Sequence, residues 1–154
     1  MTFNLASLNF DKLIPGRLLQ SPAGATIRGY LAESNGDTVF RGGTAGTLNA
    51  EGKIVKSLAD SNIQGIVVGN TVVDSYSFNK NAVVNLARDG DIMAFVAGET
   101  LQGNEFVEFE PVADNAEFDR VKKHTGVNTR IGTVIKGGSL GDIIVVEIKI
   151  FKPL

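Results

Sequence analysis

The sequence predicts an all-β fold, either an antiparallel β-sandwich or a jelly-roll-like barrel of short strands, with an extended N-terminal arm. Glycine supplies 18 of the 154 residues, which is above the average share of about 7%, and the glycines are spread along the chain. Between them lie short segments rich in Val, Ile, Phe and Thr, which is typical of sandwiches and barrels. No long stretch has a convincing helical period.

Residues 1–16 are predicted to form the arm, and residues 17–154 a single β domain. The arm carries apolar side chains scattered among Asn, Ser and Asp, and it ends at Pro15-Gly16. Such an arm can fold back on its own domain or lie on a neighbouring subunit, and the sequence leaves both arrangements open. Its apolar side chains are the candidate partner-binding residues: Phe3, Leu5, Leu8 and Phe10.

The clearest strand is predicted at residues 143–150. One face carries Ile144, Val146, Ile148 and Ile150. The opposite face begins apolar with Ile143 and Val145 and becomes polar at Glu147 and Lys149. This two-residue period indicates a strand with one face fully buried and the other partly buried. Similar patterns predict further strands at 63–68, 82–87, 92–97, 105–109 and 130–135.

Two glycine-containing segments predict connections between these strands. Asp89-Gly90 predicts a hairpin that joins strands 82–87 and 92–97, because Asp and Gly tolerate the positive φ of a tight turn. Residues 137–142 contain three glycines and predict the connection into the final strand.

Residues 114–122 fit two descriptions. Asp114 followed by Glu117 resembles a capping box that opens a short helix. Residues 117–122 also alternate as an edge strand whose charges protect it from pairing with other chains. We favour the strand.

The composition excludes several classes of chemistry. The apolar share of 43% and the charged share of 21% are those of a globular chain. Fifteen basic against 17 acidic side chains give a net charge of −2, so we expect neither a nucleic-acid partner nor a membrane partner. Without cysteine there are no disulfides or thiolate metal sites, and a catalytic triad would have to include the single histidine, His124. We expect no cofactor, no metal and no enzymatic activity.

The beginning of the chain and its apolar runs bear on location. Residues 1–6 carry no positive charge and lead into no apolar run of signal-peptide length. The longest apolar runs are far shorter than the roughly 20 residues that span a bilayer. We therefore expect a protein that is made and kept inside a cell or packaged from one.

Short motifs for ligand binding have simpler interpretations. Residues 46–53 resemble a phosphate-binding loop but have the wrong spacing, and Ile54 stands where Ser or Thr is needed; we expect a glycine turn. Asp89-Gly90-Asp91 could begin a calcium site, but no further ligands follow at alternating positions; here too we expect a turn.

The charged clusters are expected to face solvent. Glu105, Glu108 and Glu110 lie together on one predicted strand and are interpreted as a solvated face, although a carboxylate pair for glycoside hydrolysis stays open. Residues 120–124 form a basic cluster that neighbouring acidic residues offset, and we interpret it as a solvated loop. His124 is expected at the surface rather than as a general base.

The order of the predicted elements resembles that of the tailed-phage structural cement proteins, also called head decoration proteins. The resemblance covers nearly the whole chain and rests on apolar strands and glycine turns in a given order. The matching segments are IPGRLL at 14–19, TVFRGG at 38–43, IQGIVV at 63–68, Tyr76, AVVNLARDGDIMAFV at 82–96, GNEFVEF at 103–109 and GDIIVVEI at 141–148.

The resemblance implies a non-enzymatic protein on the capsid exterior, made in the host bacterial cytoplasm. It implies the major capsid protein as partner, self-association as a homodimer or homotrimer, and a jelly-roll-like subunit; a small trimeric β-tulip has similar strand content. Two other functions stay open. One is a carbohydrate- or receptor-binding module of a head fibre, and the other is a hydrolase that uses carboxylates such as Glu105, Glu108 or Asp142.

Overall fold

A computed structural model describes residues 16, 18–20, 29–33, 40–41, 43, 45–56, 65–68, 77–78, 83–87, 89–110 and 120–151. These residues form strands and turns and contain no helix, which confirms the all-β prediction for this part of the chain. The strands are β1 (Leu18–Gln20), β2 (Gly29–Glu33), β3 (Phe40–Arg41), β4 (Ala45–Leu48), β5 (Ile54–Lys56), β6 (Gly65–Val68), β7 (Ser77–Phe78), β8 (Val83–Leu86), β9 (Ile92–Ala97), β10 (Phe106–Glu110), β11 (Arg120–Lys123), β12 (Arg130–Lys136) and β13 (Ile143–Phe151).

Strands between residues 29 and 86 form a closed barrel in the order β2-β5-β4-β6-β8, and β3 pairs with β7 separately. Strands β4 and β5 form a hairpin. Its turn is built around Asn49, whose side-chain oxygen accepts the backbone N–H groups of Glu51 and Lys53 at 2.9 and 3.0 Å. The segment 46–53 is therefore the end of a strand followed by a turn, with Gly52 at a φ of +77°.

The second sheet has six strands in the order β1-β9-β11-β10-β12-β13. Strand β13 also pairs with β9, so β9, β11, β10, β12 and β13 form a ring of pairings. Most pairings in the described strands are antiparallel, as predicted, but β2 runs parallel to β5 and β9 runs parallel to β11. The jelly-roll connectivity stays a prediction.

The main apolar core contains alternate residues of the ring strands. On β13, Ile144, Val146 and Ile148 are fully buried while Glu147 and Lys149 are exposed, which confirms the predicted faces over residues 144–149. Ile150, predicted on the buried face, is only partly buried. The other core side chains in this cluster include Met93, Phe95, Val107, Phe109, Val121, Ile131 and Val134, with Ile66 and Ala87 from the barrel region. Phe95 and Phe109 pack edge to face with ring centroids 5.9 Å apart, a favourable geometry for aromatic pairs.

Strand β1 lies against a second, smaller apolar cluster. This cluster contains Ile92, Ala94 and Val145, and Leu19 of β1 packs against it. Just before β1, Gly16 forms a turn with a φ of +83° and donates its N–H to the carbonyl of Ala94 at 2.8 Å. Residues 1–15, with the candidate residues Phe3, Leu5, Leu8 and Phe10, lie outside the described residues, so the arm stays a prediction.

The predicted hairpin at Asp89-Gly90 is wrong, although the turn itself is present, with Gly90 at a φ of +93°. Strand β8 pairs with β2 and β6, whereas β9 pairs with β1, β11 and β13. The turn bonds to β13 instead: Gly90 donates its N–H to the Ile148 carbonyl, and the Asp89 carboxylate accepts the N–H of Ile150. The chain thus passes from the barrel into the second sheet at this turn.

The predicted connection at 137–142 is confirmed, because it joins the antiparallel strands β12 and β13. These strands approach very closely at Gly132. A side chain there would collide with the carbonyl oxygen of Glu147 on β13. The glycine is therefore required for the pairing of β12 with β13.

The strand interpretation of 117–122 is confirmed where the structure describes it, since residues 120–123 form β11. The prediction of an edge strand is wrong. Strand β11 lies between β9 and β10 and pairs with both. Val121 is fully buried in the core, so the protection of this strand comes from its neighbours rather than from its charges.

Candidate functional site

The candidate site is built around strand β10 and the loop that crosses it. Strands β11 and β12 both run antiparallel to β10 on its two sides. The segment that connects them, residues 124–129, must therefore cross β10, and we call it the crossing loop. It lies over the outer face of β10, the side opposite Val107 and Phe109, which point into the core.

Glu108 lies beneath the crossing loop and is fully buried, so the prediction of a solvated face is wrong for this residue. Thr125 donates to its Oε1 twice, from the backbone N–H at 2.7 Å and from the hydroxyl at 3.0 Å. The side-chain amide of Asn128 donates to its Oε2. Both carboxylate oxygens thus accept hydrogen bonds from a single surface loop.

These contacts keep the buried carboxyl ionised. Burial raises the pKa of Glu108, and the hydrogen bonds from Asn128 and Thr125 lower it. The positive charge of Lys122, which is directly opposite Glu108 on β11, lowers the pKa further. The pKa is therefore below the ordinary value of a glutamate, as expected for a carboxylate that accepts several hydrogen bonds.

The crossing loop has further internal contacts. The backbone N–H of His124 bonds to the Phe106 carbonyl at 2.9 Å, which extends the β10–β11 pairing by one residue. The His124 ring donates from Nε2 to the backbone carbonyl of Asn128 at 2.8 Å. His124 is half-buried, and this ring nitrogen holds the loop together. At Gly126 the φ is +92°, a conformation that glycine adopts without strain.

Three large apolar side chains are exposed in the part of the chain that the structure describes. They are Val127 at 74%, Leu140 at 62% and Phe106 at 49%. Val127 belongs to the crossing loop and Leu140 to the β12–β13 connection, so they lie in the loops at the two ends of β12. Phe106 is at the start of β10, with the guanidinium of Arg130 4.1 Å from its ring centroid.

Three basic residues flank the crossing loop: Lys122 and Lys123 at the end of β11, and Arg130 at the start of β12. Residues 120–136 also contain Arg120 and Lys136, at the far ends of these strands, and no Asp or Glu. The interpretation of residues 120–124 as a solvated loop is wrong, because four of these residues form β11. Lys123 remains exposed and lies 3.7 Å from a carboxylate oxygen of Glu105.

The carboxylates considered for hydrolysis each bind a backbone N–H of this chain. Glu108 accepts from Thr125, Glu105 accepts from Gln102 at 3.3 Å, and Asp142 accepts from Ser139 at 2.9 Å. Among the described residues, no group of three or more His, Asp or Glu side chains is placed to hold a metal ion. The turn at residues 89–91 is present as predicted.

Sequence reasoning missed both main features of this site. The exposure of Val127 could have been inferred from its polar surroundings, Thr-Gly-Val-Asn-Thr. The burial of Glu108 could not, because it depends on a loop 16 to 21 positions further along the chain.

Comparisons with known proteins add no family. No protein-family model matches the chain, and a search of curated proteins found none that is significantly similar. As for membranes, none of the segments that the structure describes forms a helix with the length and apolar character needed to cross one.

Proposed function

We propose that this chain is a non-enzymatic capsid decoration protein that binds the outer surface of an assembled phage head and stabilises contacts between capsomers. The observation that carries the proposal is the exposure of Val127 and Leu140 at opposite ends of β12. Two exposed apolar residues in separate loops suit a protein that contacts more than one capsomer. The order of strands and glycine turns, which resembles that of the structural cement proteins, supports the same function.

Binding to a lattice needs only modest contacts. A ligand that binds just the assembled state stabilises it by about 2.7 kcal/mol when its free concentration is 100-fold above the dissociation constant. Self-association as a homodimer or homotrimer adds avidity without new kinds of contact. Reactive side chains are not required.

The proposal includes the finer features of the family. These are a jelly-roll-like subunit, a position on the capsid exterior, the major capsid protein as partner, and an N-terminal arm whose Phe3, Leu5, Leu8 and Phe10 lie on a neighbouring subunit or on the shell. A variant without residues 1–12 tests the arm. We expect it to bind heads more weakly, and unchanged binding would contradict this part of the proposal.

The main experiment is co-sedimentation of the purified chain with expanded heads of the phage that encodes it. Unassembled major capsid protein is the control. We expect saturable binding to heads, no binding to the unassembled protein, and added density on the outside of decorated heads by electron microscopy. Infectious particles that lack the chain entirely, or heads that do not bind it, would refute the proposal.

The half-exposed ring of Phe106 favours a second candidate, a carbohydrate- or receptor-binding module of a head fibre. Sugar sites commonly use an open aromatic face, but here Arg130 lies over the ring. A glycan array separates the two functions. We expect the chain to bind no glycan. Binding of a specific glycan that is lost in the Phe106→Ala variant would favour the second candidate.

A further inference from the structure

The crossing loop is held in place by the buried carboxylate of Glu108, and burying a charge is energetically unfavourable. Removing a carboxylate from water is unfavourable unless hydrogen bonds replace its hydration. Glu108 obtains the hydrogen bonds named above from Thr125 and Asn128, both in the crossing loop. An apolar residue at position 108 would avoid the cost but would leave the loop without these contacts.

The crossing loop therefore has a defined shape before it meets any partner. A contact element that is already ordered loses less conformational entropy on binding, so preorganisation increases affinity. The side chain at its tip, Val127, is itself stiff, because branching at Cβ restricts its χ1 angle. A rigid apolar residue on a rigid loop is suited to entering a matching pocket.

The surroundings of the loop indicate the chemistry of that pocket. Three cations flank the loop, namely Lys122, Lys123 and Arg130. They outnumber the two carboxylates beside them, Glu105 and Glu108. A partner surface with an apolar pocket and acidic side chains around it would be complementary in both respects. The exposed valine at the tip fits a protein surface better than a nucleic-acid backbone.

We propose that the crossing loop is the head-binding contact of this chain. Val127 enters an apolar pocket on the shell that is framed by acidic side chains, and Glu108 is the positioning residue that fixes the loop. This inference rests on the proposed function, because it names the surface by which that function is performed.

Matched variants at two exposed apolar positions test the contact. Val127→Asp places a negative charge at the tip of the crossing loop, and Ala50→Asp makes the same change at an exposed position in the β4–β5 turn, which belongs to no proposed contact. In co-sedimentation with heads, we expect Val127→Asp to weaken binding at least tenfold and Ala50→Asp to leave it nearly unchanged. Equal effects of the two variants would overturn the inference.

Variants of Glu108 test the positioning role. Glu108→Ala removes both carboxylate oxygens that accept from Thr125 and Asn128, while Glu108→Gln keeps one acceptor for Thr125. We expect amide hydrogen exchange at Thr125 to accelerate most in the alanine variant, with exchange in β13 unchanged, and head affinity to fall in the same order. Fast Thr125 exchange with undiminished head binding would show that the loop's shape is irrelevant to the contact.

The outcomes separate this inference from the proposed function. If the unaltered chain does not bind heads, the proposed function is refuted and the loop loses its assigned partner. If the unaltered chain binds and Val127→Asp binds equally well, only the inference is overturned. Binding of the chain to duplex DNA that is lost on adding salt and weakened by Lys122→Ala would also overturn it.

Discussion

Replacing Glu108 with Gln tests how the buried carboxylate stabilises the fold. Gln keeps an oxygen that can accept both hydrogen bonds from Thr125, but as bonds between neutral groups they are weaker by roughly 1 kcal/mol each. The glutamine side chain places its NH2 group next to the Asn128 amide. Because that group cannot accept a hydrogen bond, the bond from Asn128 is lost, at a cost of roughly another 1 kcal/mol. We therefore expect Glu108→Gln to lower the free energy of unfolding by about 3 kcal/mol near neutral pH.

The decrease in the free energy of unfolding caused by Glu108→Gln should depend on pH. Because the folded pKa of Glu108 is below the unfolded value, its contribution is complete above the unfolded pKa. That contribution decreases as the pH falls through the folded pKa. The glutamine variant lacks this titration, so the difference between the two proteins should shrink in acid.

Urea unfolding measured at about pH 7 and about pH 3, on either side of the ordinary glutamate pKa, gives both differences. Glu147→Gln is the control, because Glu147 is exposed on β13, and we expect a change within about 0.5 kcal/mol. If Glu108→Gln lowers the free energy of unfolding by the same amount at both pH values, the reasoning is refuted, because the charge of the carboxylate would then contribute nothing to stability.

Two further substitutions test the packing of the second sheet. Gly132→Ala should lower the free energy of unfolding by about 2 kcal/mol, because its methyl group collides with the β13 backbone. Gly103→Ala, where the added carbon has room, should change it by less than about 0.5 kcal/mol in the same urea titration. Phe95→Ala should cost about 4 kcal/mol by leaving a cavity in the core; a loss below about 1 kcal/mol in thermal unfolding would mean that the ring is not packed as described.

The sequence predicted strands best where burial follows a simple alternation. Strand β9 occupies the predicted residues 92–97, and β13 extends the predicted 143–150 by a single residue. Both lie in the ring, where one face is covered throughout and the period of two is kept. Short strands such as β3 and β7, with two residues each, contain too few positions for a period to be recognised.

The wrong predictions concern pairing rather than local conformation. Asp89-Gly90 forms the turn that its residue types favour, but the turn type cannot specify whether the chain folds back or enters another sheet. Strand β11 has the charged composition of an edge strand, yet it pairs with the end of β9, at residues 96 and 97, while β1 pairs with the start of β9, at residues 92 and 93. Which strands pair depends on segments that are far apart in the chain, so a local sequence pattern cannot predict it.

The ring of pairings also explains why the candidate contacts are in loops. A closed arrangement of strands leaves few unpaired N–H and C=O groups along its edges, and therefore offers little opportunity for another chain to add a strand. Within the described strands, β13 is paired on both sides by β12 and β9, and β10 by β11 and β12. Partners of this ring must therefore recognise side chains, and the large apolar ones it exposes most, Val127 and Leu140, stand on connections between strands. A loop used in this way has to be held in place by something other than strand pairing, and a buried glutamate beneath it provides that restraint.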